Sequence, residues 1–117
     1  MTHYVRGSKN GLRIHWDSLG QPVRSEVFVK GVPNGPFYRF FPDGRAAQRS
    51  NYSNGLLEGI HDQWYADQSG CRVHGFHHLG KEEGIWTEYD TSGRMVWQAY
   101  LKDGEVTRAI YGTRRRR

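Results

Sequence analysis

The sequence predicts an all-β fold, a repetitive antiparallel β-hairpin meander built from units of about 24 residues. Glycine makes up 15 of the 117 residues, about twice its usual share of ~7%, while aromatic residues account for 14%. This composition favours short strands that carry large rings and are joined by tight turns. No segment shows the apolar period of a helix. The glycines and the rings also recur in phase, which is the strongest of these observations.

A GxxxG spacer recurs four times and divides the chain into units. The first glycines of the spacers lie 24, 24 and 25 residues apart. A fifth spacer begins at Gly104, but Arg108 stands where its second glycine would be. The four spacers are Gly7–Gly11, Gly31–Gly35, Gly55–Gly59 and Gly80–Gly84. Because glycine adopts backbone conformations that strain other residues, each spacer is predicted to reverse the chain.

A second set of glycines lies between the spacers and usually follows an aspartate: Gly20, Gly44, Gly70 and Gly93. Aspartate at the first position and glycine at the fourth favour a type I turn closed by a residue with positive φ. Each unit then holds two strands of about six to nine residues, and the chain holds about nine or ten strands.

These signals define one repeat domain and a short tail. The domain spans residues 1–113 and the basic tail residues 114–117. Within the domain we assign a half unit at 1–11, full units at 11–34, 35–58, 59–83 and 84–107, and a terminal strand at 108–113.

Strand alternation separates the residues after each second spacer glycine into two faces. The odd positions are mainly apolar, and we expect their recurrent rings to form a buried ladder: Trp16, Phe40, Trp64 and Tyr89. The even positions mix rings with charges, which is typical of a partner-binding surface, and Trp86 among them is expected to be partly exposed. The predicted partner-binding residues are Phe37, Arg39, Phe41, His61, Tyr65, Trp86 and Glu88.

The net charge of +5 is unevenly distributed. Residues 1–57 carry +5, residues 58–113 carry −4, and the tail from Arg114 to Arg117 adds +4. The body of the protein is therefore nearly neutral, which disfavours a continuous basic stripe for nucleic acid. We expect the tail to be solvated and without a partner.

Cysteine usage and hydropathy bear on the compartment. Cys71 is the single cysteine, so an intramolecular disulfide is impossible. Residues 1–12 contain no apolar run typical of a signal peptide, and no stretch of 18 apolar residues occurs. These observations predict a cytoplasmic protein.

One cluster has spacing that a metal site could use. Cys71, His74, His77 and His78 lie close in sequence, but His77 points away from the face that His74 and His78 share. Surface histidines are the favoured interpretation, so Cys71, His74 and His78 remain weak metal candidates and no cofactor is predicted. Since catalytic and nucleotide-binding motifs are also absent from the sequence, we do not expect an enzyme.

The segment from Gly84 through Trp86 and Tyr89 to Asp103-Gly104 resembles a MORN repeat. The resemblance extends from about Tyr4 to Arg108, although Arg13 stands where the family favours a ring. The chain is similar in particular to bacterial MORN-repeat-variant proteins, many of which are described as antitoxins or immunity proteins. The resemblance implies a twisted single-layer sheet of hairpins, with no catalytic residues.

The function expected from these observations is that of a non-catalytic protein-binding module, most concretely an antitoxin or immunity protein that binds a toxin directly. The alternative is a peripheral protein that binds anionic lipid or nucleic acid through its basic N-terminal half and arginine tail. Open sheet edges at Tyr4–Gly7 and Val106–Tyr111 further predict self-association, unless the partner covers an edge.

Overall fold

A computed structural model describes residues 2–4 and 10–114, and the predictions that involve Gly7 and Arg115 to Arg117 lie outside these residues. The described residues form one antiparallel sheet and contain no helix, which confirms the predicted β-hairpin meander. The strands are β1 Thr2–Tyr4, β2 Gly11–Trp16, β3 Pro22–Val29, β4 Val32–Pro33, β5 Gly35–Phe40, β6 Ala46–Ser53, β7 Leu56–Leu57, β8 Gly59–Trp64, β9 Cys71–His78, β10 Lys81–Tyr89, β11 Met95–Lys102 and β12 Glu105–Gly112.

The strands follow one another across the sheet in chain order. The order is β1-β2-β3-β5-β6-β8-β9-β10-β11-β12, and the two-residue strands β4 and β7 pair with β3 and β6. The molecule measures 47 × 31 × 17 Å. All the strands belong to this one sheet, and no helix or second sheet among the described residues covers either of its faces. Burial must therefore come from side chains that pack against one another on the faces of the sheet.

The first glycine of each described spacer lies in a tight two-residue turn. Both residues of each turn have positive φ, from 50° to 53° for the first residue and from 79° to 87° for the glycine. This is the type I′ geometry that matches the twist of paired strands. The turns are Lys30-Gly31, Asn54-Gly55, Leu79-Gly80 and Asp103-Gly104.

The turn inside each unit follows the prediction at both ends of the sheet but not in the middle. The amide of Gly20 donates to the carbonyl oxygen of Asp17 at 3.1 Å, and that of Gly93 to Asp90 at 3.0 Å. In the two middle turns an aromatic residue takes the first position, Phe41 in one and Tyr65 in the other. The prediction that Asp67 opens the Gly70 turn is therefore wrong, whereas the Gly44 turn has glycine at its fourth position as predicted.

The four hairpins are interrupted at the same position. The strand register shifts immediately before the recurrent ring in each of them. A bulge at this position bends the strand and increases its twist. The rings that follow the shifts, and their cross-strand partners, are Trp16 with Pro22, Phe40 with Ala46, Trp64 with Cys71 and Tyr89 with Met95.

Neighbouring units are joined through their spacer turns. The amides of Gly55, Gly80 and Gly104 donate to carbonyl oxygens of the preceding spacer at 2.8–2.9 Å. Side-chain oxygens add a parallel set of bonds, which run from the Lys30 amide to Asn10, from Asn54 to Asn34 and from Leu79 to Glu58. Each unit thus binds the next one, as in a one-dimensional repeat array.

The core lies in the C-terminal half, on the face opposite to the one predicted. It consists of Val73, Trp86, Trp97, Ala99 and Leu101. Glu88 pairs with Val73 on one side and Trp97 on the other, and Trp86 pairs with Ala99, so these residues share the even face. The odd-face rings Trp16, Phe40, Trp64 and Tyr89 are only half-buried. The predicted ladder is therefore not the main core.

Candidate partner-binding surface

The seven predicted partner-binding residues differ in exposure. Three of them are buried, with exposed fractions of 1% for Trp86, 4% for Glu88 and 9% for His61. Phe37, Phe41 and Tyr65 are half-buried, and Arg39 is exposed. The expectation that Trp86 is accessible is wrong, and in the C-terminal half the even face is interior.

Trp86 is buried because Gly75 leaves space for its ring. A Cβ atom added at Gly75 would overlap the indole, whose Nε1 donates to the carbonyl oxygen of Phe76 at 2.9 Å. The rings of His61 and His77 pack against the indole, with centroids 5.5 and 5.1 Å away. Gly75 lies outside the glycine repeat and inside a strand, which is a signal of close approach that the repeat pattern concealed.

His61 is a hydrogen-bonded core residue. Its Nδ1 lies 2.7 Å from the hydroxyl oxygen of Ser50, and its Nε2 lies 3.2 Å from the amide oxygen of Gln63. Both ring nitrogens thus have neighbours on the same face. This arrangement satisfies the buried imidazole and leaves it unsuited to direct contact with a partner.

Glu88 binds the last described residue of the chain. Arg114 donates from Nε to Glu88 at 3.1 Å, and from its two terminal nitrogens to the two carboxylate oxygens of Glu82 at 3.0 and 2.6 Å. The guanidinium carbon lies 4.5 Å from the ring centroid of Trp97. The hydrogen bonds to Glu82 raise the pKa of Arg114 above its ordinary value. The prediction of a solvated tail is therefore wrong at Arg114.

The odd face exposes large apolar side chains. Ile60, Phe76, Ile85 and Tyr100 are 42%, 49%, 43% and 40% exposed. Ile60 pairs with Phe76 and Ile85 pairs with Tyr100, so the four residues lie on the adjacent strands β8, β9, β10 and β11. We call them the odd-face apolar row. Grouped apolar exposure of this kind marks interaction surfaces, whereas scattered single residues do not.

A cleft of about 330 Å³ adjoins the apolar row at Ile60. The residues that line it include Pro36, Tyr38, Asn51 and Glu58. A side chain from a partner that packs on Ile60 would have this cleft beside it. The row and the cleft together form the candidate surface.

The weak metal candidates are engaged in other contacts. His74 pairs with Asp62 at 2.5 Å, and His78 with Glu58 at 3.0 Å. The Cys71 thiol donates to the carbonyl oxygen of Val73 at 3.3 Å, and burial raises its pKa. In residues 2–4 and 10–114, no group of three or more His, Cys, Asp or Glu side chains is arranged to hold a metal ion.

The N-terminal half of the even face carries a basic pair. Arg24 and Arg39 lie directly opposite each other on β3 and β5. Arg24 Nε lies 3.4 Å from a carboxylate oxygen of Glu26, and His15 Nε2 lies 3.3 Å from the same side chain, so one carboxylate partly balances this group. Like charges placed directly opposite destabilise a sheet, which makes the pair a candidate for binding an anion.

No model of a known protein family matches this chain, and a search of curated proteins also finds no significant match. The part of the chain that the structure describes has no helix long and apolar enough to cross a membrane.

Proposed function

We propose that the protein is a non-catalytic protein-binding module and that its odd face makes the contact. The observation that carries the proposal is the apolar row Ile60, Phe76, Ile85 and Tyr100, which is 40–49% exposed on four adjacent strands. Burial of this row against a partner would contribute free energy in proportion to the apolar area removed from water.

The surroundings of the row also suit a protein partner. Asp62 is buried on the same face between Arg49, at 2.5 Å, and His74, so its charge is balanced within the sheet. The row is bordered by the exposed histidines His74 and His78. An apolar centre with a polar rim is the usual composition of a protein interface.

The more specific form of the proposal is an antitoxin or immunity protein located in the cytosol. Its support is the resemblance of the repeats to MORN-repeat-variant proteins, and the single cysteine fits a reducing compartment. In this form, the partner is a toxin encoded beside this gene, and binding covers the surface that the toxin needs for its activity.

The test measures binding to the purified product of the neighbouring open reading frame. We expect Phe76→Ser and Ile85→Ser each to weaken binding at least about tenfold while leaving the melting temperature nearly unchanged. Leu19→Ser is the matched control, because Leu19 is apolar and 84% exposed but lies in a turn outside the row. Unchanged binding in both row variants would refute the odd-face assignment, and absence of any binding would refute the toxin partner.

A second candidate function, binding of anionic lipid or nucleic acid, is favoured by the opposed Arg24 and Arg39. Its test compares vesicles containing phosphatidylserine and a single-stranded oligonucleotide at two salt concentrations. Electrostatic binding should fall steeply with salt and should be lost in the Arg24→Gln/Arg39→Gln double variant. Binding that is insensitive to salt and to this substitution would exclude an electrostatic lipid-binding or nucleic-acid-binding function.

A further inference from the structure

We propose that Glu82, Trp86, Glu88 and Trp97 form a guanidinium-binding site, occupied by Arg114 of the same chain, which accepts an arginine side chain from a partner protein when Arg114 leaves. We call these four residues the arginine cradle. The inference rests on the even face and is independent of the odd-face function proposed above.

The contacts select a guanidinium group. All three nitrogens of Arg114 donate hydrogen bonds, two of them to the two oxygens of Glu82 and the third to Glu88. A paired contact of this kind requires a planar fork of donors, which arginine has and lysine lacks. The chemistry of the site therefore distinguishes arginine from lysine.

The aromatic residues add a second selective element. The guanidinium carbon lies 4.5 Å from the Trp97 centroid and 5.9 Å from the Trp86 centroid. A weakly hydrated planar cation gains from stacking on an indole, and this gain increases when the ring is shielded from water. Trp86 and Trp97 are 1% and 4% exposed.

The cradle is built from buried and partly buried groups. The side chain of Glu88 is 5% exposed and that of Glu82 20% exposed, and both carboxylates are close enough to bind one guanidinium. Two carboxylates held together near the core repel each other and lose hydration, so a bound cation lowers the free energy of this arrangement.

The backbone delivers Arg114 to the cradle through Gly112. Gly112 has a φ of +66°, and a Cβ atom at this position would overlap the carbonyl oxygen of Val96. Only glycine permits this close crossing, after which Thr113 and Arg114 turn over the even face. Gly112 is therefore the residue that permits Arg114 to reach the cradle.

The strand that precedes Arg114, β12, is an exposed edge strand. Every residue of β12 is exposed, and its register with β11 shifts twice. Exposed edge strands open at a lower free energy than the core does. An arginine on another polypeptide can therefore compete for the cradle without unfolding the rest of the sheet.

The first experiment empties the cradle by replacing Arg114, Arg115, Arg116 and Arg117 with Gln. N-acetyl-arginine amide should raise the melting temperature of this variant and change its tryptophan fluorescence, with an affinity at least about tenfold above that of N-acetyl-lysine amide. The control keeps Arg114 and replaces Arg115 to Arg117 only, and it should respond at least about tenfold more weakly. Adding Glu88→Gln to the fourfold variant should abolish the response.

Equal affinity for the two amides, or a response that survives Glu88→Gln, would overturn the proposal. Free L-arginine is the third probe, and binding equal to that of the amide would overturn the polypeptide source by assigning the site to a small molecule.

A second measurement uses the unmodified protein, so it does not depend on how the variant folds. Saturating N-acetyl-arginine amide should accelerate amide exchange in β12, whereas N-acetyl-lysine amide should not. Equal exchange rates in the presence of the two amides would refute the displacement of Arg114.

Discussion

The indole of Trp86 occupies the space that a side chain at Gly75 would need. The two residues lie on the neighbouring strands β9 and β10, and the ring also packs between His61 and His77. In a sheet with one layer, this contact replaces the packing that a second layer would supply.

We expect Gly75→Ala to destabilise the protein by about 1–3 kcal/mol, because the added methyl group displaces the indole. Urea denaturation measures the change. The control is a double-mutant cycle: in a Trp86→Ala background the same substitution should cost close to nothing, since the space is then empty. Additive effects in the cycle would show that the two residues do not compete for this space.

Trp86 and Trp64, which lie on opposite faces of the sheet, should differ in their contribution to stability. Trp86→Ala should cost about 3–5 kcal/mol, because the ring is 1% exposed and leaves a cavity in the core. Trp64 is half-buried, with the Arg49 guanidinium 6.0 Å from its ring, so Trp64→Ala should cost less. Denaturant unfolding of both variants checks the order. A larger loss for Trp64→Ala would restore the odd face as the core.

Leu79→Asn should stabilise the protein by about 0.5–1 kcal/mol. Leu79 has a φ of +51°, which strains its backbone. Its side chain is 63% exposed, so burial of the side chain offsets little of this strain. Asparagine tolerates this conformation better than leucine does. The matched control is Asn54→Leu at the equivalent position, where φ is +50° and we expect a loss of similar size. Thermal unfolding of both variants measures the difference.

The ion pair between His78 and Glu58 should respond to pH. The hydrogen bond to Glu58 raises the pKa of His78 above 6.5, and the bonds from the Leu79 amide and His78 lower the pKa of Glu58 below 4.5. The His78 contribution to stability is complete below pH 6.5 and is lost as pH rises through the raised pKa. The Glu58 contribution is complete above pH 4.5 and is lost as pH falls through the lowered pKa.

A pH titration followed by NMR checks this assignment. Glu58→Gln should return the pKa of His78 toward 6.5, whereas Glu26→Gln, a carboxylate on another pair of strands, should leave it unchanged. An unchanged His78 pKa in Glu58→Gln would contradict the ion pair. High salt should also reduce the effect, because both side chains are solvent-accessible.

Cys71 should react slowly with iodoacetamide near neutral pH. Burial raises the pKa of its thiol, so little thiolate is present. The rate, measured by mass spectrometry, should rise to that of a free thiol in denaturant. Equal rates in the folded and unfolded protein would show that the thiol is not protected.

The sequence by itself determined the repeat, the spacer turns and the open meander. Gly31, Gly55, Gly80 and Gly104 each need a positive φ, which is a local property of the backbone, so their spacing alone specifies where the chain reverses. Period-two alternation likewise assigned each residue to one of two faces. The paired residues of β10 and β11 follow that assignment, with Trp86 beside Ala99 and Ile85 beside Tyr100.

Only the tertiary structure decided which face is buried. Alternation separates two faces but carries no information on what covers either of them. The even face is covered because Gly75 admits the Trp86 ring from the next strand and because Arg114 returns to Glu88 from 26 residues away. Each contact needs one residue outside the repeat pattern, Gly75 or Arg114, so its effect on burial emerges only when the strands are assembled.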